Sequence, residues 1–185
     1  MEKSHKGFTL IELLIVIAVI GVLAAILIPN ALSSIQKAKQ KQTMKDIIGI
    51  ATACADYITS TGYAPDSGNQ SGPISTASDF ITEIAPTFIK ACPVIDQWGH
   101  AFRAYTGTAV ANAYGIPAGG LGTDDFLIVS YGRDGALGGT ISFTFQEDNP
   151  TAGMYNVRSM ADFNNDMVNM NGTWLHAPRI SAEGS

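Results

Sequence analysis

The hydrophobic pattern along the chain changes character twice. From Phe8 to Ile28 it is an unbroken apolar run, FTLIELLIVIAVIGVLAAILI, twenty-one residues in which Glu12 is the only ionisable side chain. At ~1.5 Å per residue such a run spans the ~30 Å hydrocarbon core of a bilayer as one helix. Beyond it the apolar positions become periodic: Met44, Ile47, Ile48, Ala51, Cys54, Ala55 and Ile58 recur at helical spacing and form one stripe. Pro29 stands between the two patterns. It removes a backbone donor and clashes with the preceding turn, so a helix continuing through it is expected to kink or melt locally. Taken as one helix, Phe8 to about Ser60 measures roughly 80 Å.

After the stripe the periodicity breaks up. Residues 61–76, TGYAPDSGNQSGPIST, are dense in Gly, Pro, Ser and Asn and read as a loop. Ser78 is placed to cap a short helix from Asp79 to Ala85, closed by Pro86. Three strand-like segments follow: Ala101 to Tyr105; Asp125 to Ser130, with Phe126, Ile128 and Val129 as core positions; and Ile141 to Phe145, alternating Ile141, Phe143 and Phe145. From Ala152 onward no period is clear. The economical arrangement is α+β: a small antiparallel sheet packed on the stripe of a long N-terminal helix.

Charge sharpens this division. Residues 61–185 carry 5 Lys and Arg against 12 Asp and Glu, whereas residues 30–60 carry 4 Lys against 2 Asp. So acidic a head lacks the clustered basic face that phosphate backbones require, which excludes nucleic acid as its expected partner. Lys37, Lys39, Lys41 and Lys45 suit a polar stretch just outside a membrane. Lys3, His5 and Lys6 precede the apolar run, so the positive-inside bias keeps that end cytoplasmic and sends the rest to a periplasm-like side. The run is followed by Pro29-Asn30 and a Lys-rich helical segment in place of a small-residue cleavage site, which argues that it is retained.

Glu12 poses a chemical problem. A carboxylate inside hydrocarbon costs several kcal/mol unless it is protonated, hydrated or paired. Either it is a tolerated acid near the membrane edge, or it meets a cation supplied by a freed α-amine, its own or that of a neighbouring identical helix. The residues around it, Lys6-Gly7 directly before Phe8-Thr9-Leu10-Ile11-Glu12, closely resemble the leader of type IV pilins and pseudopilins. That resemblance implies cleavage between Gly7 and Phe8 by a prepilin peptidase and methylation of the new amino terminus at Phe8. It implies a layout of leader (1–7), transmembrane and filament-core helix (8–29), amphipathic second helical half (30–60) and globular head (61–185). It further implies helix loosening near Pro29, and a filament in which Glu12 fixes the register between copies.

Two further blocks narrow the resemblance. Asp96-Gln97-Trp98-Gly99-His100-Ala101-Phe102 and Phe126 to Gly139, FLIVSYGRDGALGG, look like those of the major pseudopilin of type II secretion systems. The implied function is a structural subunit of a periplasmic pseudopilus, with a surface type IV pilus used in adhesion, motility or DNA uptake as the alternative. The implied partners are further copies of the chain, minor pseudopilins, an inner-membrane assembly platform and a cytoplasmic assembly ATPase. Major pseudopilins of this kind bind calcium after the second block, and Asp134 matches a ligand position. The acids expected after Gly139 are missing. Asp162-Phe163-Asn164-Asn165-Asp166 supplies D-x-N-x-D spacing but has Met167 and Thr173 where a calcium loop needs Gly and Glu. Asp134, Asp162 and Asp166 are therefore either calcium ligands or turn and cap residues.

Cys54 and Cys92 form an even pair in an expected oxidising compartment. A bridge would tie the stripe to the segment before Pro93, and a buried free thiol at Cys54 is the other reading. The Gly-rich stretch Gly115 to Gly122 lacks the Lys-Ser/Thr of a phosphate loop. Asn69-Gln70-Ser71 and Asn171-Gly172-Thr173 match glycosylation sequons. His5, His100 and His176 are scattered and join no nucleophile motif, so the expectation is a structural protein and not an enzyme.

Overall fold

A computed structural model of the chain describes residues 7–111, 113–139, 143–149 and 151–179. The chain divides after Ala38 into two units, Met1–Ala38 and Lys39–Ser185. One helix, α1 (Leu10–Thr61), runs through the boundary with Pro29 inside it. The helix is unbroken at Pro29, so the expected local melting is absent there. One missing donor removes a single rung while its neighbours hold the turn. The adjoining polar residues bond back into the helix: Asn30 Nδ2 donates to the Ile26 carbonyl at 3.3 Å and Ser34 Oγ to the Asn30 carbonyl at 2.9 Å.

Within the first unit the apolar side chains from Phe8 to Ile35 lie open, and the helix is long and apolar enough to cross a membrane. In the second unit α1 buries Gln40, Thr43, Met44, Ile47, Ile50, Ala51, Ala53, Cys54 and Tyr57. The buried face is therefore rotated from the expected stripe: Ile48 and Ala55 are exposed, and Ile50 and Tyr57 are inside. Spacings of 3 and 4 along 40, 43, 47, 50, 54 and 57 keep one side of the helix on the sheet.

The sheet has six strands: β1 (Ser71–Pro73), β2 (Arg103–Thr106), β3 (Phe126–Ser130), β4 (Met154–Tyr155), β5 (Met167–Met170) and β6 (Thr173–Pro178). Their order is β1-β2-β3-β5-β6-β4, antiparallel except for the parallel pair β4 and β6. Strand β3 is central and buried at all five positions. Its alternation splits the core: Phe126 and Ile128 pack with Ile47, Ile50, Phe80 and Phe102, while Leu127 and Val129 pack with Val110, Ile116 and Val168 on the opposite face. Val129 thus belongs to a second cluster that the expected one-sided sheet did not contain. The short helix α2 (Asp79–Ile84) forms where expected, although Ser78 Oγ donates to the Ser75 carbonyl at 2.7 Å instead of capping α2.

The tail is the largest departure. Strands β5 and β6 form a hairpin across Asn171-Gly172, both at positive φ (50° and 85°), as a two-residue turn of mirror-image type requires. The same residues match a glycosylation sequon by sequence, and their observed task is this turn. Of the expected Ile141–Phe145 strand, Ile141 and Ser142 lie outside the described residues. Phe143 to Phe145 are not strand, and the Phe145 N–H donates to the Tyr114 carbonyl at 2.7 Å.

Candidate functional site

The N-terminal site begins with two exposed residues, Gly7 and Phe8, ahead of the first turn of α1; the rest of the expected leader, residues 1–6, lies outside the described residues. Thr9 is the cap of that helix. Its N–H and its hydroxyl donate to Glu12 Oε2 at 2.8 and 2.6 Å, and its Oγ1 accepts the Glu12 N–H at 3.3 Å. This is a capping box, in which residue and cap satisfy each other's open donors. The bonds hold one carboxylate oxygen, and among the described residues no cation pairs with it. Around it, Leu10 is 88% exposed and Ile11 67%, so the acid sits at the head of an uncovered apolar helix. Thr9 was missed in the sequence, although Thr-x-x-Glu before an apolar run is a known helix-start signal.

The second unit carries a buried polar joint made from the two blocks. Asp96 Oδ1 accepts the N–H groups of Trp98 and His100, both at 2.9 Å, and its Oδ2 accepts the Ser130 hydroxyl at 2.7 Å. Ser130 Oγ in turn accepts the Gly132 N–H at 3.2 Å. Gln97 ties the same turn to α1, its Nε2 donating to Asp46 Oδ2 at 3.0 Å and its N–H to Thr43 Oγ1 at 3.3 Å. Two glycines of the second block are sterically required. At Gly132 (φ 67°) a Cβ would come within 2.7 Å of the Asn165 carbonyl, and at Gly139 (φ 66°) it would strike the Asn164 carbonyl.

The three candidate calcium carboxylates have separate fates. Asp134 is exposed and its Oδ1 accepts the Ala136 N–H at 3.1 Å. Asp162 Oδ2 accepts the Arg158 and Ser159 N–H groups at 2.8 and 2.7 Å and the Ser159 hydroxyl at 3.1 Å, another capping box. Asp166 is buried, and its Oδ2 accepts the Tyr114 hydroxyl at 2.7 Å and the Gly138 N–H at 2.9 Å. Among the described residues no group of three His, Cys, Asp or Glu side chains is arranged to hold a metal ion. The structure therefore does not bring Asp134, Asp162 and Asp166 together as one site.

Asp166 borders a cavity of about 320 Å³ shared with Tyr114, Leu137, Gly138, Phe143 and His176. His176 stacks on Phe143 with ring centres 4.9 Å apart, and its Nδ1 lies 2.8 Å from the Asp166 carbonyl, which assigns that nitrogen the proton. Burial pushes the Asp166 carboxyl up to about 6, against the pull of its Tyr114 and Gly138 bonds, and pushes the His176 imidazole down to about 4. Cys54 and Cys92 are free thiols, so of the two readings the structure shows the buried free thiol at Cys54 and no bridge. Cys54 is buried on α1, Cys92 Sγ donates to the Pro93 carbonyl at 3.7 Å, and burial pushes both thiols up, Cys92 to about 11. Protonated at neutral pH, they are poor nucleophiles.

Residues 3–28 match the family model described as the prokaryotic N-terminal methylation motif. The chain carries the N-methylation motif of prepilin-type proteins. Within that motif lie Gly7, Phe8, Thr9 and Glu12. The chain is similar to the type IV major pilin protein PilA of Myxococcus xanthus, 38% identical over 81 residues, covering 38% of this chain and 37% of that protein. It is also similar to the type II secretion system core proteins G of Escherichia coli K12 and of Vibrio cholerae. They are 29% identical over 131 residues (66% of this chain, 88% of that protein) and 28% identical over 147 residues (75% and 89%). The match to the M. xanthus pilin thus spans little more than a third of that relative's length. No solved structure matches the chain.

Proposed function

We propose that the chain is a structural subunit that polymerises through its N-terminal helix into a pilus-like filament. The observation that carries this reading is an apolar segment exposed from Phe8 to Ile35 with a single acid, Glu12, four residues after Phe8 and inside the matched methylation motif. A prepilin peptidase would free the Phe8 amine and methylate it. Packed among other copies, the helix buries its apolar side chains, and Glu12 then needs a cation. At an effective dielectric of ~20, a charge pair ~4 Å apart gains about 4 kcal/mol, enough to fix the axial position of one helix against its neighbour. The hydrocarbon of the inner membrane would cover the helix before assembly, with the head on the periplasmic side. An assembly platform and a cytoplasmic ATPase would drive extraction, and minor pseudopilins would cap the filament.

The pseudopilus of a type II secretion system is the favoured filament. The core proteins G are matched over nearly nine-tenths of their length, the head included, whereas the M. xanthus pilin match covers 37% of that protein. A surface type IV pilus is the second reading, supported by the higher identity of that shorter match, 38%. The relatives are filament subunits and no described site carries nucleophile chemistry, so catalysis is not part of the proposal.

The test is Glu12→Gln in cells that assemble the wild-type filament. Leader removal, read by mass, should proceed normally, while filament yield should fall about tenfold or more, as loss of ~1.4 kcal/mol or more per junction implies. Equal filament yield from the variant would refute the pairing, and a wild-type chain that stays monomeric with its first seven residues attached would refute the filament itself.

A further inference from the structure

We infer that the head closes its 131–139 loop with protein donors and one guanidinium, and folds without a divalent cation. The inference goes beyond the filament reading and does not depend on it. A calcium ion takes six to eight oxygens at 2.3–2.6 Å, several from carboxylates and backbone carbonyls. One side-chain oxygen of each of Asp162, Asn164 and Asp166 is occupied, each in a different way. Asp162 caps the Met160–Asn164 turn through its Oδ2. Asn164 Oδ1 accepts Arg133 Nε–H at 2.9 Å. Asp166 Oδ2 is bridged between Tyr114 and Gly138, which belong to two different segments.

Three nearby carbonyls accept protein donors as well. Phe163 O accepts the Arg133 N–H at 2.8 Å, Arg133 O faces His100 Nε2 at 3.2 Å, and Asp166 O faces His176 Nδ1 at 2.8 Å. Of the buried carboxylate oxygens nominated, Asp166 Oδ1 has no partner. It borders the cavity whose other walls include the apolar Leu137 and Phe143. A single buried oxygen in such surroundings, with no cluster of three His, Cys, Asp or Glu among the described residues, is far short of a calcium shell. The residues present therefore do not fit the ion that the resemblance implies. Arg133 supplies the positive charge in its place: it is anchored to the 162–166 segment by backbone and side chain at once, and a guanidinium forms oriented bonds that a point charge cannot. Gly132 and Gly139 let the loop lie directly on the Asn164 and Asn165 backbone, with no gap for a coordinated ion and its waters at those two points.

The experiment uses the full chain in detergent micelles and follows thermal unfolding by near-UV circular dichroism, with millimolar calcium or with chelator, alongside calorimetric titration of calcium. The expected result is one midpoint, unchanged within about 1 °C, and no stoichiometric heat. An ion bound at about a hundred times its Kd would raise the midpoint by roughly 5–10 °C, and a shift of that size, or a one-to-one heat, overturns the inference. Tyr114→Phe and Arg133→Met test the clamp itself. Each should lower the midpoint by roughly 3–8 °C, with no recovery in calcium. Two unchanged midpoints would refute the clamp, and the wild-type comparison decides the calcium question even if either variant fails to fold.

Discussion

Asp96→Asn tests whether the joint between the two sequence blocks holds the head together. The side chain is 4% exposed and accepts three hydrogen bonds, from the Trp98 and His100 N–H groups on one oxygen and the Ser130 hydroxyl on the other. Asparagine keeps an acceptor for the two amides. It turns an NH₂ group toward Ser130, whose oxygen already receives the Gly132 N–H, so the hydroxyl hydrogen loses its carboxylate. A buried hydrogen bond to a charged group contributes about 1.5–3 kcal/mol. For a unit of this size that converts to a midpoint fall of roughly 4–10 °C, read by near-UV circular dichroism on the full chain in micelles. Asp134→Asn is the control: Asp134 is exposed with one turn bond to Ala136, so its midpoint should move by less than about 2 °C. Ser130→Ala should cost a similar amount to Asp96→Asn, and the double variant less than the sum, because both remove the same bond. Additive losses, or an Asp96→Asn midpoint no lower than the control, would show that the joint does not carry this energy.

Gly139→Ala should destabilise the head by about 2–4 kcal/mol, seen as a lowered urea midpoint at constant m, because it combines a left-handed φ with a clash against the Asn164 carbonyl. The Asp166 and His176 pair should make stability nearly flat between pH 4 and 6 through opposing contributions. Asp166 is raised on folding from 3.8 to about 6, so its stabilising proton is present at low pH and lost as pH rises through that window. His176 is lowered from 6.5 to about 4, so its contribution is present above 6.5 and lost as pH falls toward 4. His176→Phe should therefore leave a head that becomes more stable as pH falls from 6 to 4, and Asp166→Asn one that becomes less stable, both measured by urea unfolding across that range; identical pH profiles for the two would contradict the assignment.

Features carried by one stretch of chain were legible in the sequence. The apolar run, its acid, α2 and β3 follow from length, charge and local pattern. The helix stripe was legible in kind and wrong in rotation, because Ile48 and Ala55 are as apolar as Ile50 and Tyr57, and the sheet alone decides which pair is covered. Strand β3 hid its two-sidedness, since a run buried on both faces carries no alternation to count. The β5–β6 hairpin announced itself only through Asn171-Gly172. Buried Asn169 breaks the alternation of the strand before it, and its Oδ1 is occupied by the Gly172 N–H at 3.1 Å as part of the turn.

The carboxylates show why a ligand pattern is weaker than a helix pattern. D-x-N-x-D spacing states that oxygens are available along a short turn; it does not state what will donate to them. For Asp162 the donors are local, three and four residues away, and a capping box was readable from Ser159-x-x-Asp162. For Asp166 they come from Tyr114 and Gly138, 52 and 28 residues away, and for Asn164 from Arg133, 31 residues away. Whether those oxygens meet a cation or an N–H is settled only once β3, its loop and the tail hairpin are packed, so the sequence motif and the folded head can support opposite chemistries from the same five residues. Glu12 lies at the other limit. Among the described residues its bonds are to Thr9, within one turn of an uncovered helix, and the proposed filament assigns the partner for its charge to a neighbouring copy.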